Sequence, residues 1–227
     1  MTVEALPDPT RQLAPALAIA VGTVVAIIPP AIHLNPPIED AAAMLRYVAE
    51  RPSWRWVDLL SIGAVLLWAA AFSTLRVWSG VARTWSLAAR TVLTATAAVF
   101  AVYYSLRAFG LQVAADRYVG AAEPSAAVLS ETESLLMVLG SVAFTAQAML
   151  GISVALYGIA VATTRELPTL LGAMGIVSGA GWFTGALLTD FAVIVPFTVL
   201  GWAWTIALAT VLAARALRTL PAPGTRR

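Results

Sequence analysis

Four ionisable side chains in apolar surroundings could do chemistry in this chain: Asp58, Arg107, Glu133 and Asp190. Asp190 stands in GALLTDFAVIVPF, with 23 uncharged residues between it and Glu166 and 24 between it and Arg215. Beside Thr189, it either marks and caps a turn between two helices or is kept as a working group, because a carboxylate there is expensive. Asp58, in SWRWVDLLSIG, poses the same choice. It pairs with Arg55 one turn earlier, interacts with a helix N-terminus, or serves as an acid. Arg107 follows 16 uncharged residues, Thr91 to Leu106, and lies beside Tyr103 and Tyr104. Its long stem would let the charge snorkel to lipid headgroups. Glu131 and Glu133 occur in SETESLL, where Ser130 and Glu133 fit a capping box.

Such carboxylates need no metal to be useful. A carboxylic acid held neutral in an apolar site can protonate an alkene or epoxide, and aromatic faces can stabilise the resulting cation. Asp58, Asp190 and Glu133 are therefore the candidate catalytic residues. Arg107, Tyr103, Tyr104, Trp54, Trp56, Trp182 and Trp202 are the candidate substrate-binding residues. Trp68, Trp182, Trp202 and Trp204 fall at span depths, where ordinary packing is the plainer reading. His33 follows a Pro-Pro pair and reads as a solvated loop residue. Gln147 and Thr145 read as interhelical hydrogen-bonding groups.

Composition sets the stage on which those residues act. Hydrophobic residues make up 60% of the 227, and charged residues only 11%. The mean hydropathy is +0.84. Apolar runs long enough to cross a hydrocarbon core of roughly 30 Å recur along the chain, so a polytopic membrane protein is expected. There is no cysteine and one histidine, which disfavours thiolate, haem and zinc chemistry; no metal or other cofactor is expected. All 14 basic residues are Arg, which with the abundant Ala fits a GC-rich bacterial genome. A net charge of +2 implies no nucleic-acid partner. The start, MTVEALPDPTRQ, has two acids and one Arg, the wrong pattern for a secretory leader, so the first span is expected to stay.

The elements that must position these groups are six spans: about 13–32, 57–75, 90–110, 135–161, 168–188 and 196–214. Pro168 and Pro196 are expected to open spans five and six, since Pro suits the first helical turn. The fold class is thus all-α, a bundle of six transmembrane helices in one domain. EDAAAMLRYVAERPSWRW predicts a short amphipathic helix from Asp40 to Glu50 in the first outer loop, with Met44, Leu45 and Val48 on one face. Arg46 and Glu50 are an i,i+4 pair there. Trp54 and Trp56 are expected at headgroup level. The glycines of LGAMGIVSGAGWFTGALL predict tight helix packing, and without a preceding strand or GK[ST] they are no phosphate loop.

Arg counts orient the bundle. Arg11, Arg76, Arg83, Arg90, Arg165, Arg215, Arg218, Arg226 and Arg227 fall on one side; Arg46, Arg51, Arg55, Arg107 and Arg117 fall on the other. The richer side is expected in the cytoplasm, with both termini. Glu4, Asp8 and Glu166 share that side, and the other nine acids lie opposite.

The stretch ALYGIAVATTRELPTLLGAMGIVSGAGW resembles an uncharacterised bacterial family of six-span membrane proteins, matching at Tyr157, Arg165, Pro168, Gly172 and Gly175. The chain departs from that family where it has Arg90 with Thr94, and Trp204. The resemblance implies a fold and a membrane location, and no reaction. A fainter similarity is to the integral-membrane terpene cyclases of meroterpenoid pathways. It implies metal-free acid catalysis with Asp58 and Asp190 as counterparts of an early and a late acid, although those cyclases usually have seven spans.

Two functions are weighed against each other. One is an enzyme acting on a lipophilic small molecule, such as a prenylated one, by carboxylic-acid catalysis. The alternative is a non-catalytic membrane protein: a lipid or hydrophobe binder, or a complex subunit. A proton-coupled transporter has less support, because no inverted repeat and no midplane charge is visible.

Overall fold

Backbone N–H and C=O groups cannot go unpaired in hydrocarbon, so a chain this apolar must cross as helices. The computed structural model describes residues 12–33, 36–75, 79–121 and 125–218. Arg11, Arg76, Arg226, Arg227, Glu4, Asp8 and Glu123, counted above for orientation, lie outside the described residues. Among the described residues every regular element is helical: α1 (Leu13–His33), α2 (Ala41–Ala49), α3 (Trp54–Thr74), α4 (Gly80–Ser105), a π-helix (Leu106–Leu111), α5 (Gln112–Gly120), α6 (Ala126–Thr163), α7 (Thr169–Leu187) and α8 (Phe191–Arg218). Six stretches are long and apolar enough to cross a membrane: α1, α3, the continuous Gly80–Gly120, α6, α7 and α8. The expected all-α six-span architecture is present.

Two spans are much longer than a bilayer requires. At about 1.5 Å per residue the 38 residues of α6 extend about 57 Å, well beyond a core of roughly 30 Å. Their surplus lies at one end of the bundle, where α5 and the first turns of α6 join α2 in a cap. That cap has its own small core, with Met44, Leu45, Val48, Trp54, Leu111, Ala115, Tyr118 and Leu139 buried together. The amphipathic α2 supplies three of these, as its pattern predicts, and Asp40 caps it by accepting from the Ala43 N–H at 3.0 Å. Arg46 reaches from α2 to the Tyr118 hydroxyl of α5 at 3.4 Å, alongside its electrostatic contact with Glu50.

Span boundaries differ from expectation for physical reasons. Helix α6 starts at Ala126 after Ser125, so Ser130 and Glu133 sit inside the helix and form no capping box. Those polar turns stand in the cap, where hydropathy does not mark them as helix. Pro196 lies within α8, which starts five residues earlier at Phe191. Pro196 is the sixth residue of the helix, past the first turn, and without an N–H it cannot donate the i→i−4 bond to the Ala192 carbonyl. Pro168 does open α7, as its N-cap.

The spans are joined by close packing and by polar contacts. A Cβ on Gly151 would lie 2.6 Å from the Phe183 backbone nitrogen, and one on Gly179 would meet the backbone of Ala155 and Gly151. Helices α6 and α7 therefore touch through their backbones, in the small-residue manner expected of the Gly-rich fifth span. Gln147 accepts from the Trp182 indole across the same pair. Thr23 of α1 donates to Thr205 of α8 at 3.0 Å and receives the Trp68 indole N–H of α3 at 3.1 Å.

Candidate functional site: a lateral cleft beside a buried ion pair

Asp58 is fully buried one turn into α3, and its partner is Arg107, whose Nε lies 3.1 Å from Oδ1. Arg55, the expected partner, points elsewhere: it is exposed, with its guanidinium 5.5 Å above the Phe109 ring. Arg107 does not snorkel either, for its side chain is only 16% exposed. Taking two charges from water is costly, and what offsets it here is the pair itself plus a shell of oriented groups. Arg107 donates to the Tyr103 hydroxyl at 2.9 Å and lies 3.4 Å from His33 Nδ1. Its guanidinium also stands 4.7 Å from the Trp54 ring centre and 5.4 Å from that of Tyr103. Neither Asp58 oxygen receives a well-aligned hydrogen bond, so the carboxylate is held by charge rather than by donors.

The π-helix is the local device that presents Arg107. A widened turn leaves carbonyls poorly served, and such turns recur at functional positions. The freed carbonyl of Arg107 accepts the Trp54 indole N–H at 2.9 Å. Trp54 is thus a buried strut, not a headgroup aromatic; Trp56 alone is outward, 68% exposed. His33, expected in solvent, is also buried and stacks on Trp54 at 4.4 Å. Tyr47 of α2 meets Trp54 edge-on at 6.3 Å and donates to the His33 carbonyl. The ends of α1, α2, α3 and α4 are thereby tied into one knot.

Next to this knot is a cleft of about 340 Å³, lying between the loop before α2, the end of α4, the first half of α6 and Phe191. Small-molecule sites run from roughly 300 to 1,000 Å³, so it is large enough for a modest ligand. Its walls are mostly apolar, including Ile38, Met44, Leu136, Met137, Leu139 and Phe144. Tyr103, Arg107, Glu133 and Glu39 supply its polar groups.

The structure brings together some of the residues singled out by sequence and separates others. Arg107, Tyr103 and Glu133 share the cleft, while Asp58 stands behind Arg107 and does not line it. Tyr104 packs on Phe100 and edge-on against Tyr103, with ring centres 5.8 and 5.0 Å apart. Asp190 is exposed in the turn between α7 and α8; its Oδ1 accepts from the Ala192 N–H at 2.8 Å, and Thr189 before it takes a φ of 51°. It works as the turn and cap residue and does not line the cleft.

The central aromatics do not form a ligand pocket. Trp68, Trp182 and Trp204 surround a space of only about 20 Å³, room for about one water. Trp202 is partly buried against that same core and lines neither space. Glu39, His33 and Tyr47 were not identified from sequence as site residues. Glu39 differs from its neighbour Asp40 in no local signal, and the pairing of Asp58 with Arg107 depends on helix packing that no spacing rule encodes. No protein-family model, curated protein or solved structure matches the chain.

Proposed function

We propose that this chain is a cell-membrane protein that holds a lipophilic molecule in the cleft between α2, α4 and α6. One observation carries this reading: the cleft is ligand-sized and mostly apolar, while the central core is filled by its own side chains. Gly140 lines the cleft with open space in front of its Cα. Gly140→Phe is therefore expected to fill the cleft and abolish retention of a co-purifying lipophile, read by native mass spectrometry of the detergent-released protein. Equal retention by the variant counts against the reading.

The Arg distribution supports an orientation in the cell membrane with both termini cytoplasmic and the cap outside. The chain has no cysteine, so single thiols report topology cleanly. Ser53→Cys is expected to react with a membrane-impermeant maleimide in intact cells, and Thr169→Cys only after lysis. The reverse pattern would invert the assignment.

A second reading is metal-free cyclisation of a prenylated substrate, and what favours it is Glu133 beside Tyr103 and Arg107 in one cleft. Glu133 would protonate the alkene or epoxide, the aromatic rings would face the cation, and the carboxylate left on Glu133 would take back a proton from the carbon beside the final cation as the product alkene forms. Asp58 would act only through Arg107. With a prenylated substrate supplied to membranes, Glu133→Gln should lose turnover and Asp190→Asn should keep it. Full turnover in Glu133→Gln ends this reading.

A further inference from the structure

The polar groups of the cleft are unequal in what they leave available. Arg107 is the one cation among the described residues lining it, and Asp58 lies against its Nε at 3.1 Å. Its remaining nitrogens already face the Tyr103 hydroxyl and His33. The positive charge is thus offset, and little of the planar fork that grips phosphates or carboxylates is left. Glu39 and Glu133 are different. Both line the cleft, both are exposed, and no ion pair among the described residues engages either one. The nearby cations are directed elsewhere: Arg46 to Tyr118, Arg51 over the Tyr47 ring at 3.3 Å, and Arg55 over Phe109.

The cleft therefore combines two uncompensated carboxylates with aromatic faces and an apolar floor. Phe144 and Phe191, with ring centres 5.2 Å apart, line it, as does Tyr103 beside Arg107. Carboxylates with π-faces are the chemistry that recognises an alkylammonium group, while the apolar wall takes the chain attached to it.

We propose that the cleft selects a cationic amphiphile, an alkyl or isoprenoid chain ending in an ammonium group, with Glu39 and Glu133 facing the charge. The inference rests on the cleft being a lipophile site, and its test separates the two ideas. Three hexadecyl probes carrying a chain diazirine and ending in trimethylammonium, hydroxyl or sulfate are photolysed with the full chain in zwitterionic-lipid nanodiscs. Labelled peptides are then mapped by mass spectrometry.

The ammonium probe should label the Met137–Phe144 stretch about tenfold more than the sulfate probe, the scale that two partly exposed charge contacts allow. Added salt should narrow that gap. Glu39→Gln with Glu133→Gln should remove the headgroup preference while the hydroxyl probe still labels the stretch, which also reports that the double variant is folded. Equal labelling by all three probes in the wild type overturns the cationic selectivity and leaves the lipophile site standing. Preference for sulfate overturns it in favour of Arg107 as the recognising group. No labelling of the stretch by any probe removes the cleft as a site, and the selectivity with it.

Discussion

At the scale of single residues, Asp58 and Arg107 form the ion pair beside the cleft. A buried pair is not strong evidence of net stability, because desolvation offsets much of its attraction. Breaking it is another matter. Asp58→Ala leaves Arg107 behind a 16% exposed surface without its counter-charge, and is expected to cost about 3–5 kcal/mol in unfolding of the purified protein. The double variant with Arg107→Ala should be less destabilised than the sum of the two single changes, since the pair shares one interaction. Strict additivity would show that the two side chains do not depend on each other. Sequence made both residues conspicuous as rare charges in apolar text but did not join them. The partners named by local rules, Arg55 for Asp58 and the headgroups for Arg107, were reasonable within one helix. The actual partner comes from a neighbouring helix, through the π-turn at Leu106–Leu111, which no periodicity signals.

At the scale of elements, what was legible follows hydrocarbon burial. The amphipathic face of α2 and the six apolar runs could be read directly, because hydropathy reports lipid and core contact. The first turns of α6 could not: Ser130, Glu131, Thr132 and Glu133 look like a loop, yet they continue the helix into the cap beyond its apolar run. Glycine spacing was the most informative packing signal. Gly179→Ala would drive a Cβ into the backbone of Ala155 and Gly151, neither of which can rotate away. It is expected to destabilise by about 1–3 kcal/mol, the usual cost of overpacking. Gly63→Ala on α3 meets nothing within 4 Å and should be neutral or gain about 0.5–1 kcal/mol. Thermal unfolding in one detergent compares them; equal effects would show that α6 and α7 are not held in backbone contact.

At the scale of the whole molecule, the two ends of the bundle have different work. The end bearing Arg83, Arg90, Arg165 and Arg215 has short connections. The opposite end carries α2, α5 and the risers of α6, with a second core and the ion pair beneath it. The cleft lies among these elements, with Leu136 and Leu139 in its apolar wall and Glu39 and Glu133 exposed. The central claim is that a lipophile occupies this space. Its most direct test is native mass spectrometry of the wild type, Gly140→Phe and Gly63→Phe released into the same detergent. Gly63 is exposed on α3, so its variant controls for added bulk on an outward face. A bound lipophile is expected on the wild type and Gly63→Phe, and none on Gly140→Phe. Equal occupancy on all three, or no adduct on any, would contradict it.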